Sequence, residues 1–393
     1  MNSDHCLRQF KITFVLAAIS LAPITVAAQL KIGSVLPYFS ETPHPYALGK
    51  QDRTVVWQET VVSPGAELLR IHFVGFSLAP GDYLTISAPD GSEPQTFEDT
   101  GPYGDGDFWS LTIDGDEALI ALHGGPSPGY GYRIDSIGHG DFSIDVAEAR
   151  EAEQNDCKSG YENVACHKDN VQFWAAQQPV AKLTFQADGN MYVATGWLVV
   201  AKNKNTLITS AHNLTDDKVA RSANVDFDYQ TPRCNGGPAG RDRYMVFKVL
   251  ERNDSDDYDY AIVQLLGDAE KKWKALQANT KELQENSTVW IPQHPGGEVK
   301  QVGWFVDNQH QTLCTISGFR DPNDVKLMCA AVPGTSGSPV LDAATPKKDA
   351  IPYAIALMAR ARASGTCPVI GIKMSAICAD DAKNKKLLVC AKE

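Results

Sequence analysis

The sequence predicts an all-β protein in two parts: a small β-sandwich, then a larger strand-rich unit stapled by disulfides. Three observations predict this. Short runs of β-branched, aromatic and aliphatic residues recur between turn signals along most of the chain. The 393 residues include 31 Gly and 22 Pro, which suits many tight turns. Apart from Cys6, every cysteine falls after residue 156 (157, 166, 234, 314, 329, 367, 378 and 390), so a cysteine-free part precedes one with an even set of eight. That set suits four disulfides in an oxidising compartment.

Residues 1–28 read as a secretory signal peptide. Arg8 and Lys11 precede an apolar run from Ile12 to Val26, and Val26-Ala27-Ala28 offers small residues for cleavage. The alternative is a membrane anchor, but the run is short and Pro23 interrupts it. No later stretch is apolar for long enough to span. Residues 29–50 are Pro-containing with no clear period and read as an extended arm. From residue 54 onward the strands follow: Thr54–Trp57, Leu69–Val74, Asp82–Ile86, Phe108–Ile113 and Ala118–Leu122, with Pro89-Asp90-Gly91 and Asp114-Gly115-Asp116 as turns. They predict a sandwich over 29–148. Residues 146–156 are polar and lack an apolar period, which places a linker at 149–156 and the start of the second unit at Cys157.

The second unit, 157–393, carries runs at 181–185, 191–200, 206–209, 244–249, 261–266, 288–292, 339–341 and 353–358. One stretch, Ala269 to Leu283, has a helical pattern. Composition narrows the function classes. Hydrophobic residues make up 43%, enough for a substantial core, so a disordered chain is excluded. The net charge of −12 argues against a phosphate-tracking nucleic-acid binder. There is no Cys-x-x-Cys pair, which leaves little support for a zinc site.

Three segments carry chemistry. Leu207-Ile208-Thr209-Ser210-Ala211-His212 ends a strand in two small residues and a histidine. Asp259-Tyr260-Ala261-Ile262-Val263 sets a carboxylate at the mouth of an apolar strand, where it needs hydrogen-bond partners. Gly334-Thr335-Ser336-Gly337-Ser338-Pro339 brackets a serine with glycines that permit a tight turn and aim backbone N–H groups inward. Each alone has an ordinary structural reading. Together they supply a nucleophile, a base and an acid to hold the base's tautomer, in the order His212, Asp259, Ser336.

In that order and context, residues 157–393 resemble the trypsin-like serine peptidases. The resemblance implies a chymotrypsin-like double β-barrel, a His212–Asp259–Ser336 triad and an oxyanion hole from the N–H groups of Gly334 and Ser336. It implies protein or peptide substrates and no cofactor or metal. Cys157…Cys166, Ala194-Thr195-Gly196-Trp197-Leu198-Val199, Asp228-Tyr229-Gln230…Cys234 and His294-Pro295-Gly296-Gly297 are similar to secreted lysyl endopeptidases. By that likeness Cys157 pairs with Cys367 and Cys166 with Cys234, which leaves Cys314–Cys329 and Cys378–Cys390. The chain departs from those enzymes in several places. Ala194 and Asn213 stand where they bridge the histidine loop. The loop Cys367-Pro368-Val369-Ile370-Gly371 lacks their lysine-reading acid. Ala330 gives the pocket no floor carboxylate, and Thr335 replaces the Asp that often precedes the serine. Arg360 and Arg362 flank the expected pocket, with a preference for an acidic substrate side chain or plain solvation as their two readings.

The strand order of the first unit is similar to a CUB-type sandwich. That likeness implies either calcium held by Asp82, Asp105 and Asp107, or acidic loops that are simply solvated. Asn213-Leu214-Thr215, Asn253-Asp254-Ser255 and Asn286-Ser287-Thr288 are glycosylation sequons, the first set beside His212 and expected to be buried. The expected protein is a secreted, extracellular serine endopeptidase. The rival is a catalytically inert peptidase-like scaffold whose sandwich binds a protein or sugar ligand.

Overall fold

The computed structural model describes residues 29–141, 160–237, 240–255, 257–306, 309–343, 352–360 and 367–392. The expected signal peptide, the linker 149–156 and Cys157 lie outside the described residues. The first part contributes β1 Leu30–Glu41, β2 Thr54–Val62, β3 Leu68–Ser77, β4 Tyr83–Ser87, β5 Gln95–Glu98, β6 Phe108–Trp109, β7 Ile113–Asp114, β8 Glu117–Gly124 and β9 Gly131–Gly140. Sheet β2-β8-β4-β5 stacks on β1-β9-β3-β6, to which β7 adds through β3. Along β8 the side chains of Ala118, Ile120 and Leu122 turn inward while their neighbours face out, the period-two pattern of a half-buried strand. An aromatic core fills the sandwich. Phe73 lies 5.2 Å from Phe108, Phe97 lies 4.8 Å from Phe108, and Tyr132 meets Phe73 edge-on. Burying each such ring contributes about 1.5–3 kcal/mol.

The second part contributes β10 Tyr161–Asn163, β11 Val180–Ala187, β12 Asn190–Leu198, β13 Thr206–Thr209, β14 Asn224–Phe227, β15 Asp242–Asn253, β16 Tyr260–Leu265, β17 Val289–Gln293, β18 Gln301–Gly303, β19 Thr315–Gly318, β20 Asp324–Met328, β21 Pro339–Asp342, β22 Ala354–Arg360 and β23 Val369–Lys373. The run β11-β14-β15-β16-β13-β12 closes on itself because β11 also pairs with β12, making a six-stranded barrel. The run β10-β18-β17-β21-β22-β23-β20-β19 curls into a half-barrel. This is the double-barrel architecture of the chymotrypsin-like fold. Leu183, Phe185, Leu207, Val225, Phe227 and Val263 fill the first barrel. Val289, Ile316, Leu327, Val340 and Met358 fill the second. Between them a third cluster, including Trp197, Ile208, Tyr260, Trp290, Leu357 and Ile377, seals the barrels together.

Two expectations about secondary structure need correction. Residues 29–50 do not form a free arm, since β1 runs for 12 residues through them. Its start pairs with barrel strand β12 (Leu30↔Val193 to Ser34↔Asn190) and the remainder pairs with β9 of the sandwich (Gly33↔Gly140 to Glu41↔Arg133). The two parts therefore share one sheet. Gly33 sits at the handover, where a Cβ would lie 2.1 Å from His139 O, so only glycine fits. The alternating partners leave β1 with no single apolar face, which hid it from period-based reading. The helical pattern of Ala269–Leu283 also fails beyond Ala269–Lys272. Trp273 stacks on Phe227 at 5.7 Å and donates Nε1–H to Asp242 at 2.7 Å. Leu276 then exchanges backbone hydrogen bonds with Leu198 and Val200, and this tertiary pairing overrides helix propensity.

The calcium reading is not supported: among the described residues no three His, Cys, Asp or Glu side chains are grouped to hold a metal ion. Asp82 is buried inside the sandwich, accepting from Tyr46 Oη at 2.6 Å and Gly125 N–H at 2.9 Å. Asp105 pairs with Arg221 at 2.8 Å, and Asp107 faces His72 at 3.0 Å. Each carboxylate thus has its own protein partner.

Candidate active site

His212 follows β13 on a turn whose small residues, Ser210 and Ala211, are wholly buried. Ser210 Oγ donates to Met358 O at 2.9 Å, and Arg252 Nε donates to Ala211 O at 3.2 Å, so the turn is tied to both barrels. Gln29 Nε2 donates to His212 O. Asp259 immediately precedes β16 and is 6% exposed. Its Oδ2 lies 2.7 Å from His212 Nδ1 and its Oδ1 accepts the His212 backbone N–H at 3.0 Å. A carboxylate that accepts both groups fixes the ring's orientation and places its proton on Nδ1, leaving Nε2 as the basic nitrogen. Nε2 is buried and has no hydrogen-bond partner among the described residues. No hydrogen bond joins Ser336 Oγ to that nitrogen among the described residues.

Ser336 is 7% exposed on the turn before β21. The peptide planes around it are held in a regular alternation. Pro333 O accepts from Gly296 N at 2.9 Å. The Gly334–Thr335 peptide is pinned at both ends: Thr195 Oγ1 donates to Gly334 O at 2.9 Å and Thr335 N–H reaches Val332 O at 3.2 Å. Thr335 O accepts from Ser338 N and Oγ. Ser336 O accepts from Thr195 N at 3.0 Å and Asn213 Nδ2 at 3.4 Å, while Gly337 N donates to Met358 O at 2.6 Å. What remains are the N–H groups of Gly334 and Ser336, which make no hydrogen bond among the described residues. Both sit in peptides whose carbonyls are held elsewhere, so both are fixed donors. Glycine is required at two points of this turn. Gly334 has φ +97° and a Cβ there would lie 2.7 Å from His294 O; Gly337 has φ +91° and its Cβ would lie 2.1 Å from Thr195 O.

The His294-Pro295-Gly296-Gly297 segment backs this turn, a role that sequence reading did not assign. His294 is fully buried, its Nδ1 facing Glu298 O at 3.0 Å. Burial, and then nearby Lys300, hold its pKa well below the usual histidine value, so it is neutral. Lys300 is itself pushed down to about 7 by burial, against the attraction of Asp228. The signal available in the sequence was the Gly-Gly pair, which marks a tight turn but not what the turn supports.

The structure joins Cys166 to Cys234, Cys314 to Cys329 and Cys378 to Cys390. Cys367 is disulfide-bonded, and its expected partner Cys157 lies outside the described residues. Ala330 is buried, as are its neighbours Ala331 and Val332. The Arg360 side chain and Arg362 lie outside the described residues. Among the sequons, Asn213 is buried, Asn253 Nδ2 is engaged by Asp380 at 2.8 Å, and Asn286 is exposed.

Comparison with known proteins adds three findings. Residues 194–345, which include His212, Asp259 and Ser336, match the family model described as trypsin-like peptidase domain. The chain is 23% identical over 329 residues to secreted RxLR effector protein 73 of Plasmopara viticola, covering 77% of this chain and 78% of that protein. Among solved structures, a Glu endopeptidase aligns at TM-score 0.41 and 17% identity, covering 58% of this chain and 97% of that one. The active form of the M. tuberculosis protease Rv3671c aligns at TM-score 0.38 and 15% identity, covering 58% and 90%.

Proposed function

We propose that this chain is a secreted serine endopeptidase. The observation that carries the reading is the pairing of a histidine held at two atoms by a buried aspartate with a serine turn whose Gly334 and Ser336 N–H groups stand ready for an anion. In this reading Ser336 Oγ attacks the scissile carbonyl and His212 Nε2 takes its proton. The tetrahedral oxyanion rests on the N–H groups of Gly334 and Ser336. The intermediate then collapses as His212 protonates the departing amine. Water, deprotonated by the same nitrogen, hydrolyses the acyl-enzyme, and Asp259 holds the tautomer throughout. None of these steps calls on a cofactor. Secretion is supported by the signal-like leader, by the disulfides and by the secreted effector among the relatives. The lysine preference of the lysyl endopeptidases is not part of this reading, because the loop Cys367-Pro368-Val369-Ile370-Gly371 lacks their acid and Ala330 gives the expected pocket no floor carboxylate.

A second reading is favoured by one observation. Among the described residues His212 Nε2 has no hydrogen-bond partner, which also suits an inert scaffold whose sandwich binds a protein or sugar. Incubation of the purified mature chain with a mixed peptide library separates the two readings. Internal peptide-bond cleavage that vanishes in Ser336→Ala supports the peptidase; an intact library supports the scaffold.

A further inference from the structure

We propose that Thr195 is a positioning residue that sets the oxyanion hole from the opposite barrel. The inference rests on the peptidase reading and names a residue that the triad and the two donor amides do not include. Thr195 lies on β12 of the first barrel, where it pairs with Lys182 of β11, and it is fully buried. Every polar atom it has is engaged with the elements that make the site. Its N–H donates to Ser336 O at 3.0 Å, and its carbonyl accepts from Thr209 Oγ1 at 2.7 Å. Its Oγ1 accepts the His294 N–H at 3.0 Å and donates to Gly334 O at 2.9 Å.

The direction of the last bond follows from the first. The His294 N–H can only donate, so it takes a lone pair of the hydroxyl, whose own proton is then available to Gly334 O, which can only accept. One hydroxyl therefore couples the His294 loop to the serine turn and holds the Gly334–Thr335 peptide in a single orientation. Rotation of that peptide would change the ψ of Gly334 and so shift the path of the turn between the Pro333–Gly334 and Thr335–Ser336 peptides, which carry the two donor N–H groups. A glycine at φ +97° has little intrinsic preference to resist such a rotation. The hydroxyl thus supplies the restraint that the glycine cannot supply, and the flexibility of Gly334 makes that restraint necessary. Thr195 touches neither the substrate nor the reacting atoms. It acts by keeping a donor pointed at the place where negative charge develops, which matters in the transition state and not in substrate binding.

Three variants test this: Thr195→Val, which keeps the shape and removes the hydroxyl, Thr195→Ala as a smaller hydroxyl-free version, and Thr195→Ser, which restores the hydroxyl. The probe is p-nitrophenyl acetate, read as kcat and KM separately, with Tm measured in parallel. The expected result is a fall in kcat of about 10–100-fold in the Val and Ala variants. KM should stay within about twofold, and Thr195→Ser should return kcat to within about threefold of the original. If either hydroxyl-free variant folds with kcat within threefold of the original, Thr195 does not position the hole. Equal losses in Ser and Val would also overturn the proposal, since they would point to packing alone. If the unmodified chain shows no turnover dependent on Ser336, the peptidase reading fails and this inference falls with it, an outcome plainly different from an active enzyme indifferent to Thr195.

Discussion

Arg70 of the sandwich donates from Nη1 to Gln186 Oε1 of the first barrel at 2.9 Å. The guanidinium is wholly buried at the junction of the two parts. It also donates to Ser110 O on its own side and to Thr184 O and Ser222 O across the junction. Burial pushes its pKa down to about 9, with Tyr103 and Asp226 opposing the shift. Tyr103 Oη reaches across to Arg221 O at 2.8 Å and Val246 O at 2.9 Å, and Arg241 meets Asp114 at 2.7 Å.

Arg70→Ala should therefore leave several buried carbonyls unpaired. Each such group costs about 1–3 kcal/mol, so a loss of at least about 3 kcal/mol is expected. Urea unfolding followed by fluorescence would show it as a lower midpoint. An unchanged midpoint would mean that the junction contributes little to stability.

The shared strand β1 bears on processing. All the disulfides lie in the second part, so a cut in the polar stretch 146–156, which holds Arg150, leaves no covalent tie between the halves. Because β1 pairs with β12 and the Arg70 junction is buried, the halves should still co-elute on gel filtration after limited trypsin treatment, with hydrolytic activity unchanged. Separation into two species, or a marked rise in activity on release of the sandwich, would favour a removable inhibitory pro-domain.

Gly334→Ala should lower kcat by about 10²–10³-fold, the scale of losing one oxyanion donor. The added Cβ would press on His294 O, and the positive φ is strained for alanine, so the turn must move. A variant with normal kcat and normal Tm would show that the turn tolerates another geometry.

Two buried groups set opposite pH trends. The Glu251 carboxyl is raised above its ordinary 4.5, first by burial and then by a hydrogen bond with Asp381. The folded state therefore binds the extra proton above pH 4.5, and stability should fall as pH rises from there to the raised value. Lys300, lowered to about 7 from 10.5, is neutral when folded and charged when unfolded between those values, so stability should rise across that window. Tm profiles of Glu251→Gln and Lys300→Met should each lose the corresponding slope. Profiles parallel to that of the unmodified chain would contradict the assignment.

The parts of the molecule that could be read early were those whose signal is local. The strand-turn segments ending at His212, opening at Asp259 and bracketing Ser336 each carry their own composition. The sandwich strands β4, β5 and β8 alternate cleanly because one face is wet. What could not be read depends on pairing between distant segments. The strand β1 changes partner midway and so shows no period. Arg70 lies between Leu69 and Ile71 in a strand run, and nothing local reveals that a barrel covers its face. Thr195 carries no local signal beyond its motif, because its hydroxyl partners lie about 100 and 140 positions away.

In the proposed mechanism Ser336 is a nucleophile activated by His212. Treatment of the folded mature protein with diisopropyl fluorophosphate, followed by intact mass and peptide mapping, tests it directly. The expected result is a single adduct, located on Ser336, absent in Ser336→Ala and formed orders of magnitude more slowly in His212→Ala. No adduct on the folded protein, or an adduct formed at the same rate without His212, would contradict it.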